Sequence, residues 1–122
     1  MNDRELLELA AKAAGVCGKF SENHPEDGAP CYSCGINLGS RVQILWNPLT
    51  DDGDALRLAV KLALHLANEH QSAGCVTVLF GVETTCHYMN EVEESAPAGG
   101  DDYAATRRAI TRAAAEIGRA MK

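Results

Sequence analysis

The sequence has few aromatic residues and no long apolar run. One tryptophan, three tyrosines and two phenylalanines are 5% of its 122 residues, so leucine, valine, isoleucine and alanine must build most of the core. No stretch approaches the roughly 20 apolar residues that span a bilayer. The first residues, MNDRELLELAAKAAG, are charged and amphipathic, unlike a secretory signal. We therefore expect a cytoplasmic protein.

Positive charge is also scarce. Seventeen acidic residues against 11 basic ones leave a net charge of -6, which disfavours binding to nucleic acid or to an anionic membrane. We expect the partner to be a protein or a small molecule, with no direct contact with nucleic acid or membrane. The length predicts a single domain, 1–122, with a thin core that a homodimer would extend.

Recognisable catalytic signatures are absent from the sequence. It has no phosphate-binding glycine loop, no Ser-His-Asp signature and no HExxH. Cys86 and His87 are neighbours in a predicted strand and would face opposite ways, whereas Cys75 with a histidine from elsewhere in the fold stays open. His65 and His70 are five residues apart, off the four-residue spacing of paired helical ligands. We expect no enzyme.

The five cysteines are an odd number, which disfavours a disulfide framework. CYSCG has the Cys-x-x-Cys-Gly form of a zinc knuckle, and the preceding residues add two donors, so the possible ligands are Cys17, His24, Cys31 and Cys34. A Cys-x-x-Cys pair in a regular strand, however, projects its thiols to opposite faces. We therefore predict no cofactor, with a zinc-stabilised structural or interaction module as the alternative.

Local patterns predict the order α-ββ-α-ββ-α. Asn2 and Glu5 are spaced as a capping pair for a helix over residues 3–14 that stops at Gly15. A loop over 16–30 follows, and then a hairpin of CYSCGINL and RVQILW joined by Gly39 and Ser40. Within this hairpin Trp46 is predicted to be a core anchor.

Helical periodicity begins again after Pro48. Asp51 suits the N-cap, with Asp54 three residues on, and Asp52 lies where the helix dipole is positive. ALRLAVKLALHLANEH is apolar on most of its circumference, which indicates a helix to residue 70 that is largely buried and central to the packing.

A second hairpin is predicted from CVTVLFG and TTCHYM, with Val76, Val78 and Phe80 on one face. NEVEESAPAGGDD has the composition of an acidic loop. Asp101 or Asp102 caps a last helix, whose apolar stripe includes Tyr103 and, near its end, Met121. The predicted architecture is α+β, three helices on a four-stranded, mostly antiparallel sheet: an α/β/α sandwich.

Two clusters are candidates for interaction. Residues 83–102 contain six carboxylates, which could either imitate a phosphate backbone or form an ordinary solvated loop. The Trp-Asn-Pro junction and the aspartates after it are the other cluster, for which capping is the simpler explanation. The candidate interaction residues are Trp46, Asn47, Asp51, Asp52, Glu91, Glu93 and Glu94.

Three blocks of the sequence, LLELAAKAAG, WNPLTDDGDALRLAVKL and DDYAATRRAITRAAAEIGRAM, resemble a family of small uncharacterised phage and prophage proteins with the phage ABA sandwich domain. The blocks contain 48 of the 122 residues. The resemblance implies a helix-sheet-helix sandwich and a phage origin, hence the cytoplasm of a bacterial host, but it implies no activity for named residues. With no catalytic signature, we expect a non-enzymatic accessory protein that binds a host or phage protein, with inhibition of a CRISPR defence complex as one such role.

Overall fold

A computed structural model of the chain describes residues 2–21, 35–37, 45–84, 87–95 and 100–121. The elements within these ranges are α1 (Asp3–Ala14), β1 (Lys19–Ser21), β2 (Gly35–Asn37), β3 (Leu45–Trp46), α2 (Asp52–Lys61), β4 (His65–Glu69), α3 (His70–Ala73), β5 (Cys75–Thr84), β6 (His87–Ser95) and α4 (Asp102–Ala120). The α+β class is confirmed. The layout differs from the predicted one, because the described strands form two antiparallel sheets of three, β1-β2-β3 and β4-β5-β6.

The first helix begins and ends where the sequence predicts. The Asn2 side chain accepts a hydrogen bond from the Glu5 backbone N–H at 2.8 Å, and the Asn2 backbone N–H donates to the Glu5 carboxylate at 3.3 Å. Gly15 ends the helix in the left-handed conformation, with φ at +70°. The reciprocal cap satisfies two otherwise free donors, so local chemistry alone sets these boundaries.

The second helix is shorter than predicted. It ends at Lys61, and after the left-handed Ala63 (φ +52°) the chain continues as β4 rather than as helix. β4 pairs antiparallel with β5, where Leu66 lies opposite Val78. The apolar run that suggested one continuous buried helix is thus divided between α2 and β4. Residues 65–69 are a strand because pairing with β5 satisfies their backbone hydrogen bonds.

The hairpin of β5 and β6 confirms the predicted pairing, and Val76, Val78 and Phe80 are all buried. Its strands are longer than predicted. β5 continues through Gly81 (φ +72°) to Thr84, and β6 includes residues 90–95, which the composition had indicated to be loop. Val92 is buried within this stretch, and it stabilises the strand by packing with the core.

The first hairpin is confirmed in its antiparallel pairing of β2 with β3, but its register differs from the predicted one: Ile36 lies opposite Trp46, whereas a two-residue turn at 39–40 would pair it with Gln43. The predicted turn at residues 39–40 lies outside the described residues. β1 pairs with the other edge of β2, so part of the predicted loop over 16–30 is strand. This small sheet packs against α1.

The core is centred on α4, which contacts α1, α2, β5 and β6. The prediction that the second helix is the central, largely buried element is therefore wrong, and Leu56 and Val60 of α2 are exposed. Tyr103 and Met121 are exposed too, so the predicted apolar stripe of α4 is shorter at both ends.

None of the described helices is long and apolar enough to cross a membrane.

Candidate functional site

The Trp-Asn-Pro junction is buried. Trp46 is 7% exposed and Asn47 is 8% exposed, which confirms Trp46 as a core anchor. The Asn47 side chain accepts from the Leu49 N–H at 2.9 Å, and the Asn47 N–H donates to the Asp54 carboxylate at 3.0 Å. These bonds stabilise the turn between β3 and α2. Trp46 and Asn47 therefore have structural roles at this junction, the first by packing in the core and the second by hydrogen bonding.

The two aspartates after this turn have structural partners. The Asp51 carboxylate accepts from the Asp54 N–H at 2.8 Å, which confirms the predicted cap. Asp52 lies 2.6 Å from a terminal nitrogen of Arg107, and the Arg107 Nε donates to the Leu49 carbonyl at 2.9 Å. Asp52 therefore ties the start of α2 to α4 through one guanidinium group.

The three candidate glutamates of β6 are divided between the two faces of the sheet. Glu94 lies on the face towards α4, where its carboxylate is 2.7 Å from Arg112 and 3.8 Å from Arg108. Glu91 and Glu93 alternate with it on the opposite face and are exposed. Within the described part of the chain, Glu91 and Glu93 have no ion pair, so these two can contact a partner.

Glu69 of β4 joins them on that face. The rows across the sheet are Glu69–Cys75–Ser95, Ala67–Thr77–Glu93 and His65–Leu79–Glu91, and side chains of directly paired residues share a face. Glu69, Glu91 and Glu93 are exposed, and none forms an ion pair with any residue that the structure describes. We call these three carboxylates and the strands that hold them the acidic face.

The acidic face is held by regular strands, which fixes its spacing. Glu91 and Glu93 lie two residues apart on β6, so their Cα atoms are separated by about 6.8 Å. Glu69 lies on the opposite edge strand, and β5 keeps the two edges about 9.6 Å apart. The strands fix the Cα positions of the three glutamates, so a basic surface can bind them with a loss of side-chain entropy but without ordering the backbone.

Cys75 lies on the same face but is buried. Its burial raises the pKa of the thiol above the usual 9.0, and the negative charges of Glu93 and Glu69 raise this pKa further. The thiol is therefore neutral at pH 7, and a neutral thiol is a poor nucleophile. The geometry gives no support to catalysis at Cys75.

The four residues considered as zinc ligands are only partly described. Cys17 is exposed and its thiol is free, whereas His24, Cys31 and Cys34 lie outside the described residues, as does Cys86. Among residues 2–21, 35–37, 45–84, 87–95 and 100–121, no group of three His, Cys, Asp or Glu side chains lies close enough to hold a metal ion.

Sequence reasoning missed Glu69 because it placed this residue on a helix. The signal that would have found it is non-local: β5 lies at the centre of its sheet and pairs on both edges, and residues 65–69 supply the second partner.

Models of protein families, curated proteins and solved structures were compared with this chain, and none of them matches it. The resemblance to phage proteins of the ABA sandwich type therefore depends on the three sequence blocks alone.

Proposed function

We propose that this chain is a phage-encoded accessory protein that binds a host protein and catalyses no reaction. The observation that supports this function best is the acidic face, on which Glu69, Glu91 and Glu93 are exposed and held at fixed positions by paired strands. The net charge of -6 adds long-range attraction to a basic partner. The contact is therefore expected to be strongest at low ionic strength.

A defence complex such as a CRISPR effector is the host factor that this chemistry fits. Such complexes hold nucleic acid in a positively charged channel, and a rigid array of carboxylates would compete there with phosphates. The chain itself would avoid nucleic acid, because the two carry charge of the same sign.

The test is capture from a bacterial lysate with the purified chain and two charge-matched variants. The first variant carries Glu91→Lys and Glu93→Lys on the acidic face. The control carries Glu8→Lys and Glu116→Lys, which make the same change in net charge at exposed positions of α1 and α4. These two glutamates form only exposed ion pairs, with Arg4 and Arg119. Such pairs contribute little, so both variants should keep a melting temperature close to that of the wild type.

We expect the wild type and the control to recover the same basic protein, and the Glu91/Glu93 variant to lose it. Recovery of nothing above background by the wild type would contradict the proposal. Equal recovery by both variants would show that the acidic face is not the binding surface.

A second experiment tests the proposed host factor. A purified CRISPR effector should lose binding to its target DNA when the wild-type chain is added, and it should keep this binding when the Glu91/Glu93 variant is added.

A further inference from the structure

A groove of about 890 Å³ lies between α2, α4 and the segment of β4 and α3. Leu66 and Ile110 contribute apolar surface to it. Leu56 of α2 and Tyr103 of α4 also line the groove, although they are 64% and 71% exposed. Large apolar side chains that stay exposed around a concavity are typical of binding sites.

One buried side chain of this groove has an unusual hydrogen-bonding state. The His70 side chain is 7% exposed, and its Nε2 lies 3.0 Å from the Thr106 hydroxyl oxygen. That hydroxyl already donates its single hydrogen to the Asp102 carbonyl oxygen at 2.8 Å. Nε2 must therefore donate to Thr106, which leaves Nδ1 of the neutral ring as an acceptor.

This acceptor is not satisfied within the chain. Nδ1 lies 3.4 Å from the Asp102 Oδ1, inside ion-pair distance, but the two are not aligned as a hydrogen bond, and Nδ1 has no partner among the described residues. With a neutral ring both atoms are acceptors and the pair lacks a donor between them, whereas a protonated ring carries a donor on Nδ1 itself. A buried polar atom without a partner is uncommon and costs stability, and here it belongs to a residue that lines the groove.

The charge around the groove favours a cation. Asp52 and Asp102 line it, and Arg107 is the one full positive charge among the described residues of its lining. Arg107 is already engaged by Asp52 at 2.6 Å, so it is not available to hold an anion. The remaining carboxylate, that of Asp102, repels anions and attracts donors that carry positive charge.

We propose that the groove binds an arginine side chain from a segment of a partner protein, with the guanidinium group donating to the two oxygens of the exposed Asp102 carboxylate, which lies 3.4 Å from the buried His70 Nδ1. A planar guanidinium offers several donors in a fork that two adjacent acceptors can share, whereas the ammonium of lysine is a point charge. Tyr103, the residue after Asp102 on α4, also lines the groove and is exposed, and its aromatic ring offers a surface on which a guanidinium group stacks.

A protein segment fits the groove better than a free amine. The volume of about 890 Å³ is that of a site for a drug-sized ligand and exceeds what one side chain fills. Val60 lies one turn after Leu56 on α2 and is 72% exposed, so the apolar surface extends beyond the groove. Residues that flank the arginine would cover it.

The groove is a different site from the acidic face, which it meets only at Glu69. Its test needs no host protein, so the failure of one proposal leaves the other standing. The probe is the capped tripeptide acetyl-Leu-Arg-Leu-amide, titrated into the chain labelled with ¹⁵N. The matched probe replaces arginine by citrulline, which keeps the shape and removes the charge.

We expect the arginine peptide to shift the ring nitrogens of His70 and the amides of Tyr103 and Thr106 in a saturable way, and the citrulline peptide to bind at least about tenfold more weakly. Equal binding of the two peptides would overturn the cation site, and so would no binding of either. Free agmatine that binds as tightly as the peptide would overturn the assignment to a protein segment. Self-association that protects the same amides, detected by light scattering, would assign the groove to a second copy of the chain and would also overturn it.

Two variants test the named groups. Asp102→Asn removes one charged acceptor and leaves the cap of α4 in place, since Asp101 is the N-cap, and it should weaken the arginine peptide about tenfold. Tyr103→Ala alters an exposed side chain, so the chain should fold and bind more weakly. Glu116→Gln is the matched control on the same helix outside the groove, and it should bind as the wild type does. Unchanged affinity in both Asp102→Asn and Tyr103→Ala would contradict the proposed contacts.

Discussion

Gly118 of α4 lies directly against the backbone of Leu9 in α1. A Cβ atom at residue 118 would overlap the carbonyl oxygen of Leu9. Around this contact the two helices present small side chains, and Ala10, Ala113 and Ala114 are completely buried. The small residues let the helix backbones approach closely, and this close approach builds a core although the chain has few large side chains.

Gly118→Ala should destabilise the protein by roughly 3 kcal/mol, because the added methyl group meets backbone atoms that cannot rotate away. Thermal or urea unfolding monitored by circular dichroism measures it. Gly53→Ala in α2 is the matched control, since its added Cβ would meet the Arg57 guanidinium at 3.1 Å and the Asp51 carboxylate at 3.2 Å. Both are ends of exposed side chains that can move, so the free energy of unfolding should change by less than about 1 kcal/mol. Equal stability of the two variants would show that α1 and α4 do not pack as described.

Trp46→Ala should cost roughly 3–5 kcal/mol, because the side chain is buried and its removal leaves a cavity. Trp46→Phe keeps most of the apolar volume and should cost clearly less. Urea unfolding of the three proteins gives both differences. A Trp46→Ala variant that stays as stable as the wild type but loses its partner would instead make this residue part of an interface.

Asp51→Ala should lower the free energy of unfolding by about 1 kcal/mol, because the side chain caps α2 by accepting from the Asp54 N–H. Asp51→Asn keeps an acceptor oxygen and should restore most of the loss. Capture of the host partner should be the same for both variants if capping is the role of this residue. Lost capture in a stable Asp51→Asn variant would show that its charge is needed for binding.

Cys75 should react with iodoacetamide far more slowly than Cys17 in the folded protein, because it is buried and its thiol pKa is raised. Mass spectrometry of the peptides after timed alkylation measures both rates. A rate at Cys75 equal to that in the urea-unfolded chain would contradict the described burial.

The same pKa predicts a pH dependence of stability. The folded protein binds the Cys75 proton more tightly than the unfolded chain does, so the contribution of this thiol is complete below the usual pKa of 9.0 and is lost as the pH rises through the raised value. The stability difference between the wild type and Cys75→Ala should therefore shrink above pH 9. A difference that stays constant up to pH 11 would show that this thiol has the same pKa in both states.

Protein purified without an affinity tag should contain no stoichiometric zinc, and a chelator should leave its melting temperature unchanged. The reason is the Cys-x-x-Cys spacing, which in an extended strand sends two thiols to opposite faces. Elemental analysis and paired melting curves provide the measurement. One zinc per chain with a marked loss of stability on chelation would establish the alternative, a module held by Cys17, His24, Cys31 and Cys34.

The sequence predicted the candidate site only in part. Capping by Asp51 could be read locally, because an acceptor side chain and the free donors of a helix start lie within three residues. The division of Glu93 from Glu94 could not, because composition alone had placed both in a loop. The groove at His70 also escaped prediction, since α2, α4 and β4 form it together.

By itself the sequence determined the start and end of α1, the start of α2, the hairpin of β5 and β6, and the helix that begins after Asp101. Caps, turns and periodicity act within one or two turns of the chain, so they can be read without knowing the fold. The tertiary structure alone decided that residues 65–69 are strand, that residues 90–95 are strand, and that α4 is the centre of the core. Each of these depends on a partner distant in sequence, because a strand satisfies its backbone only by pairing with another strand.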